Sequence, residues 1–577
     1  MLMRKSERSR RSSQFLRGDR LGVILLLVFF GVLVLPPFYY LIETSLLPQG
    51  AQGDISQASL DNFVELVTED GFISTLGTTL VFGVGSMAVA LVLGTSQAYL
   101  VERTDTPFKG LTYIISIVSL GFPQIVYAVA WTLLLARSGN INDILQRLSG
   151  GRAPILDAQT LYGMIFVEGL IWSPLVFLTM SAIFRNADAS LEEAAAMSGA
   201  SWWSTVRWVS LPMTKPAAYA AALVVFIRTI ESFSVPIILG LPGGVHVLTT
   251  DLFLAIRQEI PADYGAAAAT AILMLVFVMA LVGYQARKLG DGRRFQSITG
   301  KAFRPRRLSL GRWRWVSAAF LATNFMLLVV LPLLIITWAA FQRFYVPFSV
   351  DAFQQNLTTG NITAVVTSSI IRTSFLNTLF VAAAAATVVT ITTGVAGWFV
   401  ARQRPYSGLL NQVSNIPIVF PNIVLGLALA QMYLQTLPAL YASIWLIIIA
   451  YATRSLPYGL RYAQSGAVQI QRDLEESAQV CGAGAATVAR RVVAPLIAPS
   501  LAASWLFIFL LTARDLPIAL LLAGPNSQMV ATQVYDLWQG GGLIALAGIG
   551  LVWAVVMFVF AGLFYAVTRR FNITGGA

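Results

Sequence analysis

Four ionisable residues stand where a mostly apolar chain rarely places them. Arg228, Glu231 and Arg514 lie inside long apolar runs, and Asp515 adjoins Arg514. A charge in such a run is costly and normally faces a bundle interior or a water-filled cavity. Two kinds of chemistry are open. Arg228 and Glu231, three positions apart on one helical face, can neutralise each other in a structural pair. Alternatively, these residues together with Ser232 line a path for a polar solute. Arg454 carries the same two readings. Covalent and metal chemistry are poorly served. The chain has one Cys, Cys481, and one His, His246. No Cys/His cluster exists for zinc, haem or an iron–sulfur centre, and no internal disulfide can form. His246, between "GLPGG" and "VLTT", reads as a loop residue. No G-x-x-x-x-G-K-[ST] phosphate loop occurs, since "TGKA" at Thr299–Ala302 lacks the first glycine and the hydroxyl. The chain is therefore expected to hold no metal and no cofactor of its own.

A second set of polar residues is repeated. "LEEAAAMSG" (Leu191–Gly199) returns as "LEESAQVCG" (Leu474–Gly482). Ser190 with Glu193, and Asp473 with Glu476, have capping-box spacing. Gly199 and Gly482 suit a left-handed turn that ends each helix. A second helix is expected to run to Pro212 or Pro495, so each loop reads as a helix–turn–helix outside the lipid. Its exposed start carries Glu192 and Glu193, or Glu475 and Glu476. One reading is a pair of surface helices that cap the bundle. An interfacial membrane helix would be basic on its polar face, however. Repetition at one spacing suits docking to a twofold-symmetric partner.

The elements that must hold these residues are membrane helices. Of the 577 residues, 56% are hydrophobic and only 11% charged, against about 25% charged in a soluble protein. Apolar runs predict twelve spans, near 21–42, 73–100, 111–135, 161–184, 217–240, 265–286, 316–341, 371–400, 409–434, 442–463, 500–523 and 546–568. Barrel strands would alternate in short segments instead. The first run is too long for a signal-peptide core and is expected to be retained as a span. The net charge of +12 is concentrated beside spans, with seven Lys/Arg in Met1–Arg20 and ten in Arg287–Arg314. That is the positive-inside pattern rather than a nucleic-acid patch. An even span count then puts both termini in the cytoplasm.

The chain is also duplicated. Pro123 of "GFPQIV" and Pro421 of "VFPNIV" stand 298 positions apart, as do Pro107 and Pro405. Later pairs keep a spacing of 283: Pro174/Pro457, Gly199/Gly482, Pro212/Pro495 and Pro216/Pro499. Residues 1–20 form a basic tail, 21–286 a first repeat (core 73–286), 287–315 a basic linker and 316–570 a second repeat (core 371–568). The architecture expected is an all-α membrane protein with two parallel six-span repeats. At the spacing of 283, Glu231 falls opposite Arg514 and Ser232 opposite Asp515. The proline pairs Pro123/Pro421 and Pro174/Pro457 mark bends within spans.

Glu193-Ala194-Ala195, Gly199, Val209 and then Leu211-Pro212 resemble the EAA loop, E-A-A-x-x-x-G-x9-I-x-L-P, of ABC importer permeases. The second copy keeps Glu476, Gly482, Val492 and Pro495 but departs at Ser477 and Ala494. The resemblance covers residues 73–286 and 371–568, and implies the type I permease fold. In that family the loop seats in a groove of a cytoplasmic ATPase. The resemblance therefore implies two copies of that ATPase, which bind ATP and Mg, and one periplasmic or lipid-anchored substrate-binding protein. It also implies a multi-pass location in the cell (inner) membrane and no chemistry by the permease itself. "ESFSVPIILGLPGGVHVLTTDLF" (Glu231–Phe253) and "ARDLPIALLLAGPNSQMVATQVYDLWQGG" (Ala513–Gly542) resemble fused permeases of the ferric-iron importer group. That group is close to permeases for thiamine, polyamines and phosphonates, so ferric iron leads and these remain alternatives. A rival from another class is an ion-coupled secondary transporter using Glu231, which leaves the doubled loop unexplained.

Overall fold

The structure, a computed structural model, describes residues 2–48, 55–119, 121–137, 139–186, 190–257, 261–289 and 308–570. Most of the basic linker and "TGKA" lie outside the described residues. Among those residues no strand is present, and nine helices are long and apolar enough to cross a membrane, or up to twelve if each bent pair is one span. The described residues form an all-helical, multi-span bundle.

The two repeats follow one plan. A long helix (Phe72–Arg103 or Ser369–Ala401) is followed by a broken pair, Lys109–Ser119 with Gln124–Leu135, or Ser407–Asn415 with Asn422–Thr436. Next come Leu161–Asn186 or Ile444–Val468, a short loop helix, and the helix Leu211–Ile230 or Ala494–Ala513. Tyr264–Leu289 or Leu543–Arg570 closes each repeat. The long helix and the third member cross tightly because glycine sits at the contact. A Cβ on Gly94 would lie 2.6 Å from Val176, and one on Gly397 would lie 2.6 Å from Ala463. Small residues at membrane helix crossings let backbones approach, where lipid supplies no hydrophobic drive.

The proline pairs behave differently from each other. Pro123 and Pro421 each break a span in two, and the limbs Ser407–Val419 and Asn422–Thr436 around Pro421 are bent by 105°. Each is the N-cap of the following limb, in extended backbone. A proline there cannot donate to the preceding turn and drives the residue before it out of helical backbone. Pro174 and Pro457 instead stay inside continuous helices.

Two expected spans are displaced. Those placed at 217–240 and 500–523 run instead over Trp203–Ile230 and Ala486–Ala513. The loop's second helix does not stop at Pro212 or Pro495. It continues through a π turn, Val206–Ser210 or Ala489–Val493, directly into the span. Each proline sits at the second position of the helix that follows. The wide π turn leaves room for the ring, and the missing N–H is absorbed there. Helix–turn–helix is thus right for the turn and wrong for the independence of the second helix.

The leading helices interlock the repeats. Leu2–Leu46 packs on Tyr264–Leu289 of its own repeat and on Asn422–Thr436 of the other. Its Val23, Phe30 and Val34 share a cluster with Ala396, Trp398 and Phe399. The leading helix of the second repeat, Leu331–Ala340, packs in turn on Gln124–Leu135. Just beyond it, the Tyr345 hydroxyl donates to the Leu133 carbonyl at 3.0 Å. Each repeat is continuous in sequence, but its first span is shared in space.

Candidate functional site

The loop helices are Ser190–Met197 and Arg472–Val480. Their turns match: Gly199 has φ +82° and Gly482 has φ +89°. The amide of Ala200 donates to Ala195, and that of Ala483 to Ala478, each at 3.0 Å. This five-residue span closes a Schellman turn. A Cβ at either glycine would meet nothing within 4 Å, so backbone conformation alone demands glycine. The expected capping box at Asp473 is not formed. The helix begins two residues earlier, at Arg472, and its N-cap Gln471 makes no side-chain cap.

The two glutamates of each loop divide their work. Glu192 and Glu475 turn inward and are buried. The Arg103 guanidinium lies 3.8 Å from Glu192, whose Oε1 also accepts the Ser210 hydroxyl at 2.6 Å. Glu475 is gripped harder, taking Arg402 at 2.6 and 2.8 Å and the Trp398 indole N–H at 3.2 Å. Arg402 also donates to the Ile470 carbonyl. Both arginines come from the ends of the long helices, so each loop is strutted to its core. Of the other two, Glu476 is exposed and Glu193 half-buried. Beside them the equivalent pairs Leu191/Leu474 and Met197/Val480 are exposed, the latter at 85% and 82%. Ala194 and Pro495 are exposed too, and Leu211 is 40% exposed next to half-buried Pro212. Large apolar side chains are thus held out to solvent beside a carboxylate in both loops.

The intramembrane residues converge on one cavity of about 700 Å³, which all five, Arg228, Glu231, Ser232, Arg514 and Asp515, line. Their backbone placement is symmetrical. Glu231 is the C-cap of Leu211–Ile230, and Arg514 is the C-cap of Ala494–Ala513. After each cap the chain leaves the helix and re-enters as a short segment, Pro236–Gly240 or Pro517–Leu522. Broken helices inside a membrane are tolerated where they line a cavity. A cation at a helix C-terminus is favoured and an anion is not. Arg228, one turn back, compensates Glu231 through a 3.0 Å ion pair.

Arg228 also donates to the Tyr458 hydroxyl of the other repeat at 2.6 Å. Among the described residues, none donates a hydrogen bond to buried Glu231 Oε1. Asp515 draws its partners from elsewhere in its own repeat: Arg454 at 2.8 Å, the Asn422 amide at 2.9 Å and the Tyr451 hydroxyl at 3.2 Å. Sequence proximity to Arg514 did not anticipate this.

Three residues went unrecognised as part of the site. Tyr458 and Arg461 follow Arg454 at helical spacing on Ile444–Val468 and line the cavity with it. The i, i+4, i+7 pattern of polar residues on an apolar helix was the available signal. Glu168 is fully buried and accepts the Trp172 indole N–H at 2.8 Å. It is the one carboxylate in an otherwise apolar run and was legible as such. His246 is a half-exposed loop residue that contacts Asp251 at 2.7 Å, and Cys481 is exposed.

An interlocked pair of six-span repeats, each with a strutted loop helix at one end and a charged helix cap at a shared cavity, defines a membrane permease. Comparison with known proteins agrees. The family model described as binding-protein-dependent transport system inner membrane component matches twice, over residues 90–289 and 393–573, and the chain belongs to this family. It is 22% identical over 559 residues to a ferric transport system permease protein (FbpB) of Actinobacillus pleuropneumoniae, covering 94% of this chain and 77% of that one. A probable ABC transporter permease protein of Sinorhizobium fredii (y4fN) is 24% identical over 535 residues, covering 90% and 91%. A putative 2-aminoethylphosphonate transport system permease protein (PhnU) of Salmonella typhimurium is 26% identical over 264 residues, which is 45% of this chain and 89% of its own length. The chain is accordingly a multi-pass inner-membrane permease subunit of an ABC importer. It is a transport component and not itself an enzyme.

Proposed function

We propose that this chain supplies both halves of the pore of an ATP-driven importer for ferric iron. Two copies of a cytoplasmic ATPase would seat on the two loops, and one extracytoplasmic binding protein would deliver substrate to the opposite end. Both termini lie in the cytoplasm on this reading. ATP and Mg belong to the ATPase, and surrounding lipid packs the outer face. The observation that carries the proposal is the doubled docking surface of Leu191, Glu193 and Met197, repeated as Leu474, Glu476 and Val480. Because the second helix of each loop runs through a π turn into a span that ends at the cavity, displacement of the loop by a closing ATPase dimer is transmitted to Glu231 or Arg514. The halves would then rock between inward and outward openings. Ferric iron is supported by the near full-length match to the ferric transport permease. The half-length match to the phosphonate permease favours a second reading, an organophosphonate, through the same machinery.

The test is reconstitution with the cognate ATPase and binding protein, measuring ATP hydrolysis and ferric uptake together. Glu193→Lys with Glu476→Lys should uncouple hydrolysis from uptake while leaving the permease folded. Normal coupled uptake in the double variant would overturn the proposed docking.

A further inference from the structure

The wall of the central cavity carries more positive than negative charge. Among the described residues that line it are four arginines, Arg228, Arg454, Arg461 and Arg514, and two carboxylates, Glu231 and Asp515. Guanidinium stays protonated at any physiological pH, so this imbalance cannot be titrated away. Both carboxylates already accept from an arginine, Glu231 from Arg228 and Asp515 from Arg454. Counting Glu168, buried behind the cavity-lining Trp172, still leaves the balance positive. Arg461 is exposed to the cavity side of its helix.

The excess comes from one repeat. The first contributes Arg228 and Glu231, which cancel. The second contributes Arg454, Arg461 and Arg514 against Asp515. At the 283-residue spacing, Arg454, Tyr458 and Arg461 correspond to Ile171, Leu175 and Leu178. The excess is thus a property of the second copy and not a by-product of duplication.

We infer that the cavity admits its cargo as an oxyanion, a small molecule presenting carboxylate or phosphonate groups. This inference rests on the import function proposed above and specifies the charge form in which cargo crosses. Arginine's planar fork matches both oxyanion types bidentately, and arginine-lined constrictions select anions in membrane pores. A bare trivalent cation would meet the opposite field. It would also lack ligands, because among the described residues no group of three or more His, Cys, Asp or Glu could hold a metal ion. The oxyanion can come from two sources, the organic shell of a ferric chelate or a free phosphonate.

The experiment uses the full chain in nanodiscs of zwitterionic lipid, with no ATPase and no binding protein. Tryptophan fluorescence, to which Trp172 contributes from the cavity wall, follows titration with ferric citrate, citrate, methylphosphonate and, as a cationic control, spermidine. At least one oxyanion should bind and spermidine should not. Arg461→Glu should weaken that binding by about tenfold or more, as a two-charge change in a partly desolvated cavity requires. Arg461→Gln should weaken it less, and Arg461→Lys least. Thermal unfolding of each variant monitors the fold, and the neutral variant carries the test if the reversed one is unstable. Binding of ferric citrate or citrate identifies a chelate as the source, and binding of methylphosphonate alone a free phosphonate. Binding of no oxyanion, binding indifferent to Arg461, or preference for spermidine would each overturn the inference. Since neither partner is present, failure here would leave ATP-driven import standing, and failed ferric uptake would leave the anion site standing.

Discussion

The two ends of the helices Leu211–Ile230 and Ala494–Ala513 have diverged to different degrees. At the loop end the repeats superimpose in role, with a glycine at φ +82° or +89°, a π turn, and a proline two residues after it. At the cavity end, equivalent C-caps bear opposite charges, Glu231 and Arg514, and Arg454, Tyr458 and Arg461 of the second copy stand where the first has Ile171, Leu175 and Leu178. If the two loops seat two copies of one ATPase, as proposed above, each must keep the same shape, whereas a cavity that takes one solute gains nothing from symmetry.

The sharpest way to break this comparison lies in the struts, where the loops themselves differ. Arg402 holds buried Glu475 through two short bonds, whereas Arg103 stands 3.8 Å from Glu192. Arg402→Ala should cost about 3–5 kcal/mol by leaving a buried charge uncompensated. Arg103→Ala should cost less, because its ion pair with Glu192 is much longer, 3.8 Å against 2.6 Å. Thermal or denaturant unfolding of the purified permease checks this, and equal losses would remove the asymmetry.

A smaller effect is expected at the cavity. Arg228 and Glu231 form the first repeat's self-cancelling pair, so Arg228→Gln and Glu231→Gln should be non-additive, with a coupling of about 0.5–3 kcal/mol. A double-mutant cycle on stability, repeated on ATP-driven uptake, measures it. Independent effects in both readouts would mean that the 3.0 Å contact carries no coupling.

The smallest effect tests the sameness of the loops. Gly199→Val and Gly482→Val should each impose about 1–2 kcal/mol of local backbone strain. Retention of the ATPase in a pull-down should fall to a similar extent for both. The fuller EAA motif of the first copy would suggest that Gly199 matters more. The matching φ values and equally open surroundings say otherwise, and a strong inequality would show that the copies are not equivalent.

Much of this molecule could be read from one dimension. The duplication, the positive-φ glycines and the paired acidic loops follow from spacing, because helix ends and tight turns are decided by residues within one or two turns of each other. Whether Arg228, Glu231, Ser232, Arg514 and Asp515 line one path or pair locally was left open by the sequence, because charges in apolar runs can do either. Hydropathy could not distinguish a straight span from one that stops at a charged cap and re-enters. An average over twenty residues is blind to the single backbone break at Glu231 or Arg514. The same averaging moved two spans toward the cavity end and hid the π turns that fuse loop to span. Partner choice was likewise beyond reach. Asp515 bonds to Arg454, Asn422 and Tyr451 because three helices meet there, and Leu2–Leu46 crosses to the other repeat because its apolar face fits that groove. Local sequence sets which residues are helical and which carry charge. Long-range packing sets which of those charges meet, and here that decides the sign of the cavity.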